Sequence, residues 1–105
     1  MNSFDGCRCD DGWKAWLDTM PPNKKVLQVE GSCTCEDGGH HLRLVKAIPQ
    51  GSNPTILILK IEDKVDTEVP HHVQRYPLNY REEEADYRQV TIMPCNLTID
   101  VSIIS

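Results

Sequence analysis

No apolar run in the chain is long enough for a membrane-spanning helix. The longest, residues 56–59, is four residues against the ~20 that a helical crossing needs. The first residues lack the basic start and apolar core of a secretory signal. Basic residues are few and scattered: 11 Lys and Arg stand against 16 Asp and Glu, a net charge of -5, and Lys24-Lys25 is the one short basic cluster. Nucleic acids and anionic membrane surfaces both recruit clustered Lys and Arg, so neither is expected as a partner. There is no Gly-rich phosphate loop, no EF-hand pattern, no internal repeat and no low-complexity tract. A cytoplasmic protein is the expectation. Asn96-Leu97-Thr98 fits a glycosylation sequon, which without a leader reads as coincidence.

What is present suits one domain over residues 1–105, with 39% apolar and 26% charged residues. A chain of this length buries enough apolar surface to fold without staples. The five cysteines, Cys7, Cys9, Cys33, Cys35 and Cys95, are an odd count, so any disulfide scheme leaves a thiol over. Their density is below that of disulfide scaffolds, and with no leader the expectation is reduced thiols.

Leu27, Val29, Gly31, Cys33 and Cys35 fall on one parity of the run 26–35, which marks a half-buried strand with two cysteines on its apolar side. The same alternation returns in 42–48, 71–80, 87–93 and 97–104. Residues 55–62 are apolar on both faces in the middle, so that strand belongs at the centre of its sheet. Pro77 argues for an edge or a bulge, and 76–93 reads as a hairpin around the charged turn 81–86. Trp13, Trp16, Leu17 and Met20 stand at helical spacing, Asp10 or Asp11 is placed to cap, and Pro21-Pro22 ends the segment. The spacing predicts a short helix over 11–20 that buries both tryptophans against the sheet. Residues 1–10 read as a flexible arm. The expected fold is all-β and mainly antiparallel: an immunoglobulin-like β-sandwich of six to seven strands over 26–104, with a small β-barrel as the alternative. The Cys, Trp, Cys arrangement of antibody domains is absent, because both tryptophans precede the strands.

Two C-x-C pairs are the main candidates for chemistry. On an extended backbone each pair sends both sulfurs to one face. Cys7, Cys9, Cys33 and Cys35 together have the donor set of a tetrahedral thiolate site for zinc, with His40 and His41 as additional ligands and His71, His72 and Cys95 as further donors; thiolate with imidazole also suits copper. The plainer reading makes Cys33 and Cys35 small core residues and Cys7 and Cys9 incidental, and a third makes a disulfide that ties the arm to the sheet. Cys95 has no local helix N-terminus or basic neighbour to activate it as a nucleophile. Glu82, Glu83, Glu84 and Asp86 sit in a turn, which offers no cleft for paired acid catalysis. The loop 49–54 is a connection that can present a binding surface. The expectation is therefore a non-enzymatic binding or assembly module for another protein, touching it through the sheet edge near Pro77 or the tryptophan helix. The alternative is a small metal-binding (zinc or copper) or thiol-redox protein built on the two C-x-C pairs.

Overall fold

The computed structural model describes residues 3–4, 6–19, 25–36, 40–65 and 73–104. Among them are nine strands: β1 (Ser3–Phe4), β2 (Cys7–Cys9), β3 (Lys14–Asp18), β4 (Val26–Cys35), β5 (His40–Lys46), β6 (Ile56–Val65), β7 (Gln74–Glu83), β8 (Gln89–Met93) and β9 (Leu97–Ile104). No helix occurs among the described residues, and none of the chain's described elements is a helix long and apolar enough to cross a membrane.

The strands form one mixed sheet in the order β1-β2-β4-β3-β9-β8-β6-β5, with β7 on the other edge of β4. It curls into a half-barrel. The β3–β9 and β6–β8 pairs are parallel, and the remaining pairs are antiparallel. The all-β expectation holds, while the immunoglobulin-like sandwich is not confirmed. Two strands change partner along their length and make the sheet continuous. On one edge β4 takes β3 at 26–30 and β2 at 33–35. Along its length β9 takes β8 at 97–100, then β3 at 101–104.

Alternation explains what lies inside. Leu27, Val29, Cys33 and Cys35 on β4 are fully buried, as their shared parity requires, and β7 places Leu78 against them from the neighbouring strand. The middle of β6 is buried at Leu57 and Leu59, and β6 is central, with β5 on one side and β8 on the other. Val90 and Ile92 of β8 complete the floor of the core.

The helix expected over 11–20 is absent, and residues 14–18 are β3 instead. Trp13, Ala15 and Leu17 point inward at period two, with Lys14 exposed and Trp16 and Asp18 half-buried. The tryptophan spacing satisfies both templates at once. Sheet wins because β3 lies between β4 and β9 and satisfies its backbone on both sides, whereas an isolated helix this short is marginal. Met20 lies outside the described residues. The Trp13 ring lies flat over Gly31, where a Cβ would sit 1.9 Å from the ring carbon Cδ2, and its Nε1 donates to Ser32 O at 3.1 Å. Glycine at 31 is thus required by the close approach of the indole.

The hairpin expected over 76–93 is also replaced. β7 pairs with β4, and β8 pairs with β6 and β9. The residues between them carry the chain from one wall of the half-barrel to the other. Glu84 takes a positive φ of 57° there and donates its N–H to Lys25 O at 2.7 Å, and Ala85 is buried. Pro77 does lie on a strand whose only partner among the described strands is β4.

Candidate functional site

Residues 7–9, read as part of an arm, form β2 and bring the two C-x-C pairs side by side. In the antiparallel β2–β4 ladder Cys7 stands opposite Cys35 and Cys9 opposite Cys33. Backbone hydrogen bonds join the positions on either side, Asp10 N to Ser32 O at 3.0 Å and Glu36 N to Gly6 O at 2.9 Å. The cysteine positions are therefore the non-hydrogen-bonded rungs, where facing Cβ atoms come closest. All four sulfurs leave on one face.

Four of the five cysteines are oxidised, against the expectation of reduced thiols. Cys7 is bonded to Cys35 across the ladder, with Cα atoms 3.9 Å apart. Cys9 is bonded to Cys95, in the corner between β8 and β9, with Cα atoms 6.3 Å apart. Cys33 keeps a free, fully buried thiol, and its Sγ lies 3.8 Å from Cys9 Sγ. Burial, with the charges of Asp10 and Asp63 added, pushes the Cys33 thiol up to about 12. Cys95 is fully buried.

A polar net covers this corner. Asp10 Oδ2 accepts from Ser32 Oγ and Asp10 Oδ1 accepts from Thr34 Oγ1, both at 2.7 Å. Arg75 Nε donates to Ser32 Oγ at 2.9 Å and lies 3.7 Å from Asp10 Oδ2. Asp10 is placed as a helix cap by the sequence, and here it caps two hydroxyls of β4. The sequence carries a signal for this that alternation alone exposes: Ser32 and Thr34 share a parity opposite to the cysteines.

His41 is exposed on β5 opposite Lys64, and His40 pairs with Val65. His71 and His72 lie outside the described residues. Among the described residues no three His, Cys, Asp or Glu side chains are arranged to hold a metal ion.

A second cluster sits where β5 approaches β7. Glu82 accepts from Tyr80 OH at 2.7 Å and from Tyr87 OH at 3.2 Å, and Lys46 Nζ lies 3.3 Å from Glu82 and 3.1 Å from Tyr87 OH. Burial alone would raise the Glu82 carboxyl, but the hydrogen bonds from Tyr80 and Lys46 outweigh it and hold the group below its ordinary value. The Lys46 ammonium is held above its ordinary value, chiefly by the hydrogen bond to Tyr87. Burial, then the bond to Glu82, raises Tyr80. Tyr80 and Glu82 share a parity on β7, so their meeting is legible; Lys46 and Tyr87 arrive through topology.

A third feature is an open cleft at the point where β9 leaves β8 for β3. Leu17, Val101 and Ile103 supply its apolar side, and Asp86, Arg88 and Asp100 its charged rim. Ile103 is 72% exposed. It stands opposite Leu17, beyond Asp100, the last β9 residue that β8 covers.

The loop 49–54 is braced from inside. Gln50 Nε2 donates to Ala47 O at 2.7 Å and Ile58 O at 2.8 Å, while its Oε1 accepts from Ile58 N at 2.9 Å. One side chain therefore replaces a stretch of strand pairing. Comparison of the chain with family models, curated proteins and solved structures gives no match.

Proposed function

We propose that the chain is a non-enzymatic binding module that takes an extended segment of another protein into the cleft where β9 leaves β8 for β3. The observation that supports this is the exposed Ile103 beside Leu17 and Val101, inside a rim carrying both signs of charge. An apolar centre with a polar rim is the usual anatomy of a protein contact. β3 and β9 supply one side of the cleft, and the residues that lead into β6 and β8 supply the other. On the fold, we read the half-barrel as nearer to the small barrel than to the immunoglobulin-like sandwich, because β5 lies close to β7 and the Lys46–Glu82 pair spans the gap.

A displayed library of random peptides, panned against the folded chain, tests the reading. Peptides with an apolar residue flanked by charges should be enriched, and Ile103→Asp should weaken them at least about tenfold, the loss of a buried apolar anchor. Ile48→Asp, a change at an exposed position outside the cleft lining, should leave them bound. No enrichment, or peptides indifferent to Ile103→Asp, would remove the proposal.

A second reading is supported by the placement of Cys7, Cys9, Cys33 and Cys35 on one face of two facing rungs. After reduction these four thiolates would be the ligands of a zinc ion. Reduced protein dialysed against zinc should then retain one ion per chain, and Cys33→Ser should lose it. Retention of none would end this reading without touching the first.

A further inference from the structure

We infer that Cys9 is the shared sulfur of two mutually exclusive disulfides, and that Cys33 and Cys95 exchange places on it. Three observations carry this. Cys33 Sγ lies 3.8 Å from Cys9 Sγ, close to sulfur–sulfur contact, although Cys9 is bonded to Cys95. Cys9 and Cys33 face each other on a rung of the same kind as Cys7 and Cys35, and that rung already carries a disulfide. A Cys9–Cys33 bond therefore needs no new backbone arrangement in the ladder. Finally, the incoming and outgoing sulfurs are both fully buried, and Cys9, the sulfur they share, is half-buried between them.

The step is balanced without an outside oxidant or reductant. Cys33 loses its proton to water, and the thiolate attacks Cys9 Sγ. The Cys33–Cys9 bond forms, the Cys9–Cys95 bond breaks, and the electron pair leaves on Cys95 Sγ, which takes up a proton. One disulfide and one thiol are present before and after.

The two states differ in what they tie together. Cys9–Cys95 closes 86 residues of chain and fastens β2 to the corner between β8 and β9. Cys9–Cys33, 24 residues apart, fastens β2 only to the strand it already pairs with, and it frees the corner at Cys95. A short closure restrains the unfolded chain less than a long one. The exchange is thus a covalent switch on how firmly the β8–β9 end of the sheet is held, and β9 lines the proposed cleft. It stands independently of the binding proposal.

The rate is set by the thiolate fraction at Cys33. The charged groups described around it are Asp10, after β2, and Asp63, on β6, which both disfavour the thiolate, and Arg75 of β7, which reaches it only through Asp10 and Ser32. Since the thiol is held up to about 12, the rate should rise about tenfold per pH unit through the neutral and mildly alkaline range.

The experiment uses the full chain purified without reductant. It is incubated at about pH 6 and about pH 9, quenched in acid, alkylated and digested without reduction, and the linked peptides are identified by mass spectrometry. At the lower pH the expected products are Cys9 linked to Cys95 and alkylated Cys33. At the higher pH a growing fraction should show Cys9 linked to Cys33 and alkylated Cys95. Cys33→Ala should hold the Cys9–Cys95 link at both values, and Cys95→Ala should form the Cys9–Cys33 link on oxidation. Wild-type protein that keeps Cys9–Cys95 alone at both values would overturn the proposal. Five alkylated cysteines in every sample would overturn it as well, and would leave the cleft's binding activity open to its own test.

Discussion

The half-barrel is fastened in two different ways at two places. On the cysteine face of the β2–β4 corner the fastening is dry: Trp13 on Gly31, two disulfides, and cysteine side chains with no exposure at Cys33, Cys35 and Cys95. At the β5–β7 approach it is wet: Lys46 and Glu82 keep 42% and 23% of their side-chain surface and meet through hydrogen bonds with two tyrosines. The difference decides which perturbation each end answers to. Packing and covalent bonds respond to volume and redox state and hardly to salt. A partly solvated ion pair responds to pH and ionic strength and is worth little at any setting.

The largest effects should therefore come from the dry corner. Trp13→Ala removes a buried indole and one of the two hydrogen bonds that the Ser32 carbonyl accepts, and it should cost about 3–5 kcal/mol in urea unfolding. Trp16 is half-buried, with Lys14 Nζ 5.7 Å above its ring, and its removal should cost about 1 kcal/mol, a partial loss of apolar burial. Equal costs for the two tryptophans would mean that the inward parity of β3 is misassigned. Gly31→Ala tests the same contact from the other side. The added methyl enters the Trp13 ring, so the ring or the strand must shift, and overpacking of this kind costs about 1–3 kcal/mol.

Next is the long-range disulfide. Replacing Cys9 and Cys95 together by Ala removes a closure of 86 residues, for which chain entropy gives about 4.6 kcal/mol, with less observed where the unfolded chain retains structure. Replacing Cys7 and Cys35, 28 residues apart, should cost about 1 kcal/mol less on the same scaling. Equilibrium unfolding of the two double variants under identical conditions gives the ordering. A reversed order would show that local ladder pairing, and not chain closure, sets the worth of these bonds.

The two fastenings also differ in how far the sequence announces them. The face of β4 is written in the parity of Leu27, Val29, Gly31, Cys33 and Cys35, because a strand with one buried side must alternate. The central place of β6 follows from Leu57, Ile58 and Leu59 being apolar in succession. Trp13, Trp16 and Leu17 mislead, since positions 13, 16 and 17 fit a helical stripe while 13, 15 and 17 fit a strand, and Ala15 is too small to advertise the second pattern. The pairing of β2 with β4, which brings Cys9 opposite Cys33, depends on a register that no local spacing records. The meeting of Lys46 with Tyr87 and of Cys9 with Cys95 depends on the fold's crossovers, so neither is visible in any window of the sequence.

At the wet end the effect is smaller and carries a pH signature. Glu82 has its folded value depressed, so its stabilising contribution is present above the unfolded carboxyl range and is lost as pH falls through the folded value. Lys46 has its folded value raised, so its contribution is present below the unfolded lysine range and disappears only as pH rises through the folded value. Between those limits the pair is constant. Glu82→Gln should cost at most about 1 kcal/mol near pH 7, a figure kept low by solvent screening. The gap between variant and wild type should close in unfolding curves taken from about pH 6 down to about pH 3, and it should narrow with added salt at neutral pH. A gap that persists at the acid end would mean that Glu82 acts through packing against Tyr80 and Tyr87.

The smallest effect lies between the two fastenings, where the chain crosses from β7 toward β8. Glu84 has φ of 57°, in the left-handed region that a side chain with a Cβ disfavours and glycine occupies freely. Its backbone N–H nevertheless reaches Lys25 O at 2.7 Å, which requires that conformation. Glu84→Gly relieves the Cβ penalty of about 1–2 kcal/mol but gives the unfolded chain more freedom, worth about 0.4–1 kcal/mol in the other direction. The net should be stabilisation by about 0.5 kcal/mol, read as a shift of the urea midpoint with unchanged slope. Glu84→Ala keeps the Cβ and should stay within about 0.5 kcal/mol of wild type, the range of surface changes. If Ala matches Gly, the gain comes from removing a charge beside Glu82 and Glu83, and the crossing owes nothing to backbone strain.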